Sequence, residues 1–294
     1  MKIGSNRSKA YRVVCLIIMI ILAILFTFPL YWILTGAFKT PQDIYAKTPS
    51  WWPTAWTLDN FAKLFTRRSA PLFEIGALAG PVVPGAIRWL INTVFMAVAA
   101  MLLTCITATM AGYALAKKRF VGRALIFSLI VCAMALPKQV ILIPLLKEMS
   151  VLKLWDSLWA VIFPTVGWPF GVFLMKQFSE SIPGEILEAA RVDGSSEWRT
   201  FSTIVMPMVK PGIGALAIFT FINSWNDYFM QLVMLSSNKN FTISLGIATM
   251  QAETSVDLGL LMSGAALAAV PIIVVFLIFQ KYFTQGITMG AVKG

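Results

Sequence analysis

Long apolar runs separated by short polar connections dominate this chain of 294 residues. A helix needs about 20 mostly apolar residues to cross the hydrocarbon core of a bilayer. Six stretches reach that length: Val13–Phe38, Trp89–Ala116, Ala124–Leu146, Leu154–Phe178, Gly212–Leu235 and Leu258–Tyr282. They are continuous and do not alternate, which predicts helices and not barrel strands. The expected fold class is all-α: one polytopic transmembrane domain over residues 1–294, with six transmembrane helices and a polar loop at 179–211.

Several runs are interrupted. The third holds Pro137 and Pro144 with Lys138 and Gln139 between them, the fourth holds Pro164, Gly167, Pro169 and Gly171, and the sixth holds Pro271. Proline removes a helical hydrogen bond and forces a kink, and in lipid a freed carbonyl must face protein or a water-filled cavity. The fourth run's cluster is a candidate wall of a solute pathway, or ordinary span punctuation. The fifth run reads FTFINSWNDYFMQLV and places Asn223, Asn226 and Asp227 on one flank, with Asn223 and Asp227 four residues apart and so on one face. Polar groups inside a membrane are candidate functional sites. Asn223, Trp225, Asn226, Asp227 and Tyr228 form the candidate substrate pathway, the rings to stack on a sugar and the amides to bond its hydroxyls. Hydrogen bonding between helices or to a partner subunit is the alternative.

Composition agrees with a membrane chain. Charged residues make up 13% of it, half of the roughly 25% typical of soluble domains. The first run is too long for a signal-peptide core and no small-residue cleavage site follows it, so it is expected to be retained. No histidine is present, which removes the commonest general base and metal ligand. No metal site, bound cofactor, nucleophile arrangement or catalytic residue is expected. Cys15, Cys105 and Cys132 all fall in apolar runs and read as small buried hydrophobes.

The net charge is +11. Here it points to membrane topology and not to nucleic acid. Lys2, Arg7, Lys9 and Arg12 precede the first run, and Lys117, Lys118, Arg119 and Arg123 fill the connection after the second. Basic residues near span ends stay in the cytoplasm, which places both termini and the 179–211 loop inside. The segment from Lys39 to Arg88 is then outside despite its own basic residues, as long connections can be. Trp51, Trp52 and Trp56 suit an interfacial aromatic belt on that side. The Pro- and Gly-rich stretch at 67–87 is expected to be a short re-entrant or surface-lying element. The last outside loop, SSNKNFTISLGIATMQAETSVD, is polar and expected to be solvated.

The loop at 179–211 is unusually charged for this chain: Glu185, Glu188, Arg191, Asp193, Glu197 and Arg199 lie within fifteen residues. Pro183 suits the first position of a helix, Gly194 its C-terminal stop, Ser195 the cap of a second helix, and Pro207 its end. Two short helices joined by a sharp turn are predicted, the first with Ile186, Ala189 and Ala190 on one face. Interfacial helices on lipid are usually Lys/Arg-rich on the polar face, whereas this one is acidic. A knob that docks on a protein is the better reading.

Glu188-Ala189-Ala190, Gly194, Ile204 and Met206-Pro207, at this spacing, resemble the EAA signature of ABC-importer permease subunits, with Met206 where leucine is usual. NTVFMAVAAMLLT, ALPKQVILIPLL, WNDYF and the tail QKYFTQGITMGAVKG extend the resemblance over nearly the whole chain, to the carbohydrate-uptake branch and the second-permease type of the maltose transporter. The resemblance implies a permease subunit of an ATP-driven, binding-protein-dependent sugar importer in the bacterial cytoplasmic membrane. Implied partners are a second permease, two ATP-binding cassette subunits that bind ATP and Mg, an extracytoplasmic solute-binding protein, membrane lipid, and a sugar or oligosaccharide substrate.

No phosphate-binding loop of the G-x-x-x-x-G-K-[ST] type is present, so ATP hydrolysis is assigned to another chain and this one is not an enzyme. The resemblance makes Glu188, Ala189, Ala190, Asp193, Gly194 and Pro207 the ATPase-coupling residues and Gly286, Gly290 and Lys293 a C-terminal ATPase contact. The loop after the fifth run becomes a candidate contact for the binding protein. An ion-coupled secondary transporter is the rival reading; it lacks an obvious internal repeat and has Asp227 as its one carboxylate candidate.

Overall fold

A computed structural model describes residues 4–75, 78–252 and 257–291. The order of elements begins with α1 (Gly4–Gly36), two short helices α2 (Pro41–Ile44) and α3 (Asp59–Thr66), and four short strands, β1 (Ser69–Pro71), β2 (Glu74–Ile75), β3 (Leu78–Ala79) and β4 (Val82–Pro84). Then come α4 (Gly85–Lys117), α5 (Arg123–Met134), α6 (Lys138–Val151), α7 (Trp159–Val166) and α8 (Pro169–Glu180). The remainder is α9 (Gly184–Val192), α10 (Glu197–Thr200), α11 (Met206–Met208), α12 (Lys210–Asn226), α13 (Tyr228–Met234), α14 (Ile243–Ala252) and α15 (Leu258–Ala291).

Among the described residues, four helical runs are long and apolar enough to cross a membrane: Tyr11–Gly36, Gly85–Lys117, Trp159–Glu180 and Leu258–Gln280. The count rises to six if each of two sharply bent pairs is one span. The first pair, α5 and α6, bends by 107°. It breaks at residues 135–137, just ahead of Lys138, while Pro144 stays inside α6. The second pair bends by 76° at Val209, between α11 and α12. Helix α12 also stops short: Asp227 separates it from α13, so the run expected at 212–235 is two helices.

Helix α4 is the centre of the packing. Nothing in lipid drives helices together by hydrophobicity, so their association relies on close contact and shared hydrogen bonds. Ala97, Ala100 and Ala108 are fully or almost fully buried along α4. At Gly112 the backbone of α8 presses so close that an added Cβ would lie 2.6 Å from the amide nitrogen of Lys176. Helix α1, by contrast, is exposed over most of its length and docks on α15 only near its end, where Gly36 meets Met262. Cys132 on α5 is exposed within the apolar surface, whereas Cys15 and Cys105 are half-buried. Residue 132 therefore departs from the expected buried thiol.

The stretch at 67–87 is a β-hairpin, not a re-entrant segment. Ser69 pairs with Pro84 and Pro71 with Val82, and Glu74 pairs with Ala79 in the same register. The amide of Leu72 donates to Pro81 O at 2.9 Å and that of Gly80 to Phe73 O at 2.8 Å, joining the two short ladders into one. The ribbon has two free edges, which is where Pro71 and Pro84 are tolerated. At this end of the molecule Trp51, Trp52 and Trp56 are exposed and cluster with Phe28, Tyr31 and Trp32.

The expected solvated loop after α13 is mostly not solvated. Its middle is α14, whose Ile243, Leu245 and Met250 are buried in the core with Trp89. The ring of Trp89 lies over Gly246, where a Cβ would come within 2.2 Å of it. The polar segment before α14 is held from two sides. From α4, Trp89 Nε1 donates to Asn238 O at 2.9 Å, Asn92 Nδ2 to Phe241 O at 2.8 Å, and Thr93 Oγ1 accepts the amide of Ile243 at 2.9 Å. From the α6–α7 turn, Asp156 accepts the amides of Ser236 and Ser237 at 2.7 and 2.9 Å, and the Ser237 hydroxyl as well. Asp156 sits at φ +57°, a left-handed conformation that Asp and Asn tolerate. Partial burial works to raise its carboxyl, and the bonds from Ser237 and Ser236 outweigh that and hold it below the usual carboxylate range.

Two outcomes follow for stability. Gly112→Ala forces α4 and α8 apart and is expected to cost about 1–3 kcal/mol, read as a lower midpoint in thermal unfolding of the purified protein in detergent. Asp156→Asn keeps the left-handed turn and removes only the charge. The stabilisation from Asp156 is complete above about pH 4, the ordinary carboxylate value, and is lost as pH falls through its lower native value. Wild type should therefore lose its advantage over Asp156→Asn on acidification below that point, and an advantage independent of pH would contradict the clamp.

Candidate functional site

Three helix breaks converge on one cavity. It has a volume of about 340 Å³. Ala133, Met134, Leu136 and Lys138 line it from the α5–α6 break, Pro164, Thr165, Gly167, Trp168, Pro169 and Phe170 from the α7–α8 break, and Asn223, Asp227 and Met230 from the α12–α13 break. A shallower groove continues from it past Lys138, Trp168, Asn223, Asn226 and Asp227. The breaks and the cavity share a cause. Irregular backbone at membrane depth is tolerated only where protein or a water-filled cavity receives its polar groups. Pro164, which has no N–H, sits inside α7, and Pro169 opens α8. Gly171 of the same sequence cluster does not face the cavity; it packs against Ala108 and Leu216.

The α12–α13 break is built from its own side chains. Asp227 Oδ1 caps α13 by accepting the amide of Met230 at 3.3 Å. A continuous helix would have given the carbonyl of Ser224 the amide of residue 228. Instead Gln231 Nε2 donates to it at 3.2 Å, while Gln231 Oε1 accepts the Thr242 hydroxyl at 2.5 Å. Gln231 is fully buried, so the freed carbonyl at the α12–α13 break is satisfied from within the protein, while the Ser224 hydroxyl beside it is buried without a partner among the described residues.

Lys138 Nζ lies 3.0 Å from Asp227 Oδ2 and 3.4 Å from Asn223 Oδ1. An ion pair thus joins the start of α6 to the α12–α13 break across the cavity wall. Asn223 and Asp227 are together as their spacing predicts, and Asn226 faces the adjoining groove, its Nδ2 donating to Ile222 O at 2.9 Å. The two aromatic candidates are placed differently. Trp225 is 2% exposed and packs with Phe221 and Ala97 on the opposite side of α12, so its ring is not offered to the cavity. A spacing of two residues from Asn223 on a 3.6-residue helix turns it away. Tyr228 is exposed but is not part of the cavity wall. Lys138, Trp168 and Gln231 were not predicted for this site. Lys138 and Asp227 carry a usable signal: lone opposite charges in two apolar runs each need a partner.

A second site lies at the far end of the bundle from the hairpin. Helix α9 runs Gly184–Val192 with Pro183 as its cap residue, one position earlier than predicted. Gly194 follows in the left-handed region at φ +73° with nothing within 4 Å of its would-be Cβ. The conformation requires glycine here, not the space. Ser196, not Ser195, caps α10, accepting the amide of Arg199 at 3.3 Å; Ser195 Oγ instead lies 3.1 Å from Thr200 Oγ1. The helical chain continues through a π turn at Phe201–Val205 and past Pro207 to Met208.

The predicted face of α9 is divided. Leu187 is buried in the cluster of Ile182, Phe201 and Val205, and Ala190 is buried on the same helix. Ile186 and Ala189 are exposed, alongside Glu185, Glu188 and Val192. Asp193 ends the helix, also exposed, its amide bonded to Ala189 O at 3.0 Å. Lysines at the end of α4 tie this loop down. Lys117 Nζ donates to Glu180 O at 3.0 Å and Ile182 O at 2.6 Å, at the carbonyl end of α8 where a cation is favoured. Lys118 pairs with Glu197, which also faces Arg191 at 3.9 Å. Gly286 and Gly290 lie four apart on α15, which is helical through Ala291; Lys293 is outside the described residues.

Residues 107–289 match the family described as binding-protein-dependent transport system inner membrane component. The arabinooligosaccharides transport system permease protein AraQ of Bacillus subtilis (strain 168) is 32% identical over 99% of this chain and 99% of its own length. The maltodextrin transport system permease protein MdxG of the same organism is 31% identical, with 93% of each chain covered. A solved bacterial ABC transporter involved in the import of the acidic polysaccharide alginate superposes with a TM-score of 0.76 at 21% identity, covering 96% of this chain and 99% of that one.

Gln231→Leu tests the repair of the α12–α13 break. It leaves the Ser224 carbonyl and the Thr242 hydroxyl without this partner in a dry interior, at about 1–3 kcal/mol. Thermal unfolding in detergent should show that loss, and an unchanged midpoint would mean that another donor replaces Gln231.

Proposed function

Because this chain belongs to the family of inner membrane components of binding-protein-dependent transport systems, we propose that it forms one half of the translocation pathway of an ATP-driven sugar importer. It is a non-enzymatic membrane subunit, and ATP is hydrolysed by a separate subunit. A second permease supplies the other half, two ATP-binding subunits drive the pair with one of them docked on α9, and a solute-binding protein delivers substrate at the hairpin end. The sugar assignment is supported by relatives named for arabinooligosaccharides and maltodextrin.

The end that carries α9 faces the cytoplasm, and both termini lie there. Lys117, Lys118, Arg119 and Arg123 cluster at that end, as basic residues do on the inner side. Helix α15 has 34 residues. At 1.5 Å per residue that is about 51 Å, some 20 Å more than a hydrocarbon core of about 30 Å. Its final turns, with Gly286 and Gly290, therefore reach beyond the bilayer and suit an ATPase contact. The solute path runs through the cavity at the three breaks, with Asn223, Asn226 and Asp227 on its wall.

The observation that carries this reading is the divided α9: an inner side, Leu187 and Ala190, keyed into the bundle, and an outer side, Glu188 and Ala189, left open. A push on the outer side is transmitted as rigid-body motion through the packed inner side. The loop also reaches α4 through Lys117 and Lys118, so the displacement is delivered to the helix at the centre of the bundle.

The test is reconstitution of this chain with its partner permease, the ATP-binding subunits and the binding protein in proteoliposomes. ATP-dependent uptake of arabinotriose or maltotriose is expected. Uptake that needs only an ion gradient would replace the reading with a secondary transporter. Ala189→Arg should abolish copurification of the ATP-binding subunits and reduce uptake at least tenfold while the permease pair still assembles. Retained copurification would show that α9 is not the docking site.

A further inference from the structure

We propose that the Lys138–Asp227 pair is a charge filter: it keeps this wall of the pathway polar but uncharged, so the importer passes neutral hydroxylated solutes and rejects carboxylated ones. The inference rests on the cavity being part of the solute path. Among the described residues lining the cavity and its groove, Lys138 is the one cation and Asp227 the one carboxylate. They are already paired at 3.0 Å.

The pair is asymmetric. The Asp227 side chain is 14% exposed and that of Lys138 45%. Asp227 is committed on both oxygens, one to Lys138 and one to the amide that opens α13. A solute carboxylate that meets the free proton of Lys138 finds a cation whose charge Asp227 already offsets, and could form a full ion pair only by drawing Lys138 away. That would leave a largely buried Asp227 without its counter-ion, next to an incoming anion. A neutral sugar requires no such exchange. Its hydroxyls can accept from the remaining proton of Lys138 and donate to free lone pairs on the side-chain oxygens of Asn223, Asn226 and Asp227. Trp168, on the same wall, offers an apolar face to the carbon side of a ring.

The filter is read with two probes that differ by one carboxylate: arabinotriose, and the aldonate made by oxidising its reducing end. Each is loaded on the binding protein to the same measured occupancy, so that a difference in uptake by the full assembly reports the permease. Wild type should take up the neutral probe and exclude the aldonate. Asp227→Asn frees Lys138 and should raise the aldonate-to-neutral uptake ratio about tenfold, the exchange of a repelling for an attracting charge. Lys138→Gln should lower uptake of both probes and leave the ratio low. The double exchange Lys138→Gln with Asp227→Asn leaves the wall uncharged, keeps an amide oxygen at 227 to cap α13, and should pass the neutral probe while excluding the aldonate, which guards against misfolding of the single variants. An unchanged ratio in Asp227→Asn, or admission of the aldonate by the double exchange, would overturn the filter and leave the pair a tie between helices. Absence of ATP-dependent uptake of the neutral probe in wild type would instead remove the functional reading beneath it.

Discussion

Every backbone amide and carbonyl placed inside a bilayer must find its partner within the protein, and this requirement shapes the molecule more than any single contact. Where the chain obeys it by continuous helix, as in α1, α4 and α15, little else is needed. Where the helix stops, the surroundings have been altered to suit. The α12–α13 break has Asp227 for the exposed amide and Gln231 for the exposed carbonyl. The α5–α6 and α7–α8 breaks open on the same cavity. A cavity with polar groups on its wall thus arises where the membrane's prohibition on irregular backbone has been locally suspended.

Helix α4 turns these local arrangements into one body. Its middle packs tightly enough for glycine and alanine to be required against α8 and α12. Its two ends are polar and each holds a loop: Trp89, Asn92 and Thr93 grip residues 238–243 at one end, and Lys117 and Lys118 grip residues 180–197 at the other. The same helix therefore bears on the loop next to the hairpin and on the loop that carries α9. Coupling between two ends of a membrane protein requires a rigid element that both ends bias, and α4 has the length and the attachments of one.

Much of this was legible in the chain, for reasons that can be named. Apolar run length located the helices, because the bilayer imposes one length on all of them. The spacing of Glu188, Ala189, Ala190 and Gly194 located α9 and its turn, because a left-handed residue after a helix is a local requirement. What escaped detection was tertiary. Trp225 stands between Asn223 and Asn226 in sequence, but only the position of α4 reveals that it packs with Phe221 and Ala97, away from the cavity that Asn223 and Asp227 line. The region 243–252 looked like a loop because its flanks are polar, and its burial depends on Trp89, some 150 residues away. Lys138 and Asp227 each stand out as a lone charge in an apolar run, but that they partner one another across 89 residues is decided by the tertiary fold.

The division of α9 has a further consequence for how such assemblies diversify. Leu187 answers to Ile182, Phe201 and Val205 of its own chain and Ala190 is buried with it, while Glu185, Ile186, Glu188, Ala189 and Val192 answer to whatever covers them. The two sets of residues are under separate constraints although they alternate along a single short helix. The cavity at the helix breaks and the outward face of α9 share no residue. On the docking proposed for α9, solute and motor are therefore revised independently, and several importers in one cell can share a single engine.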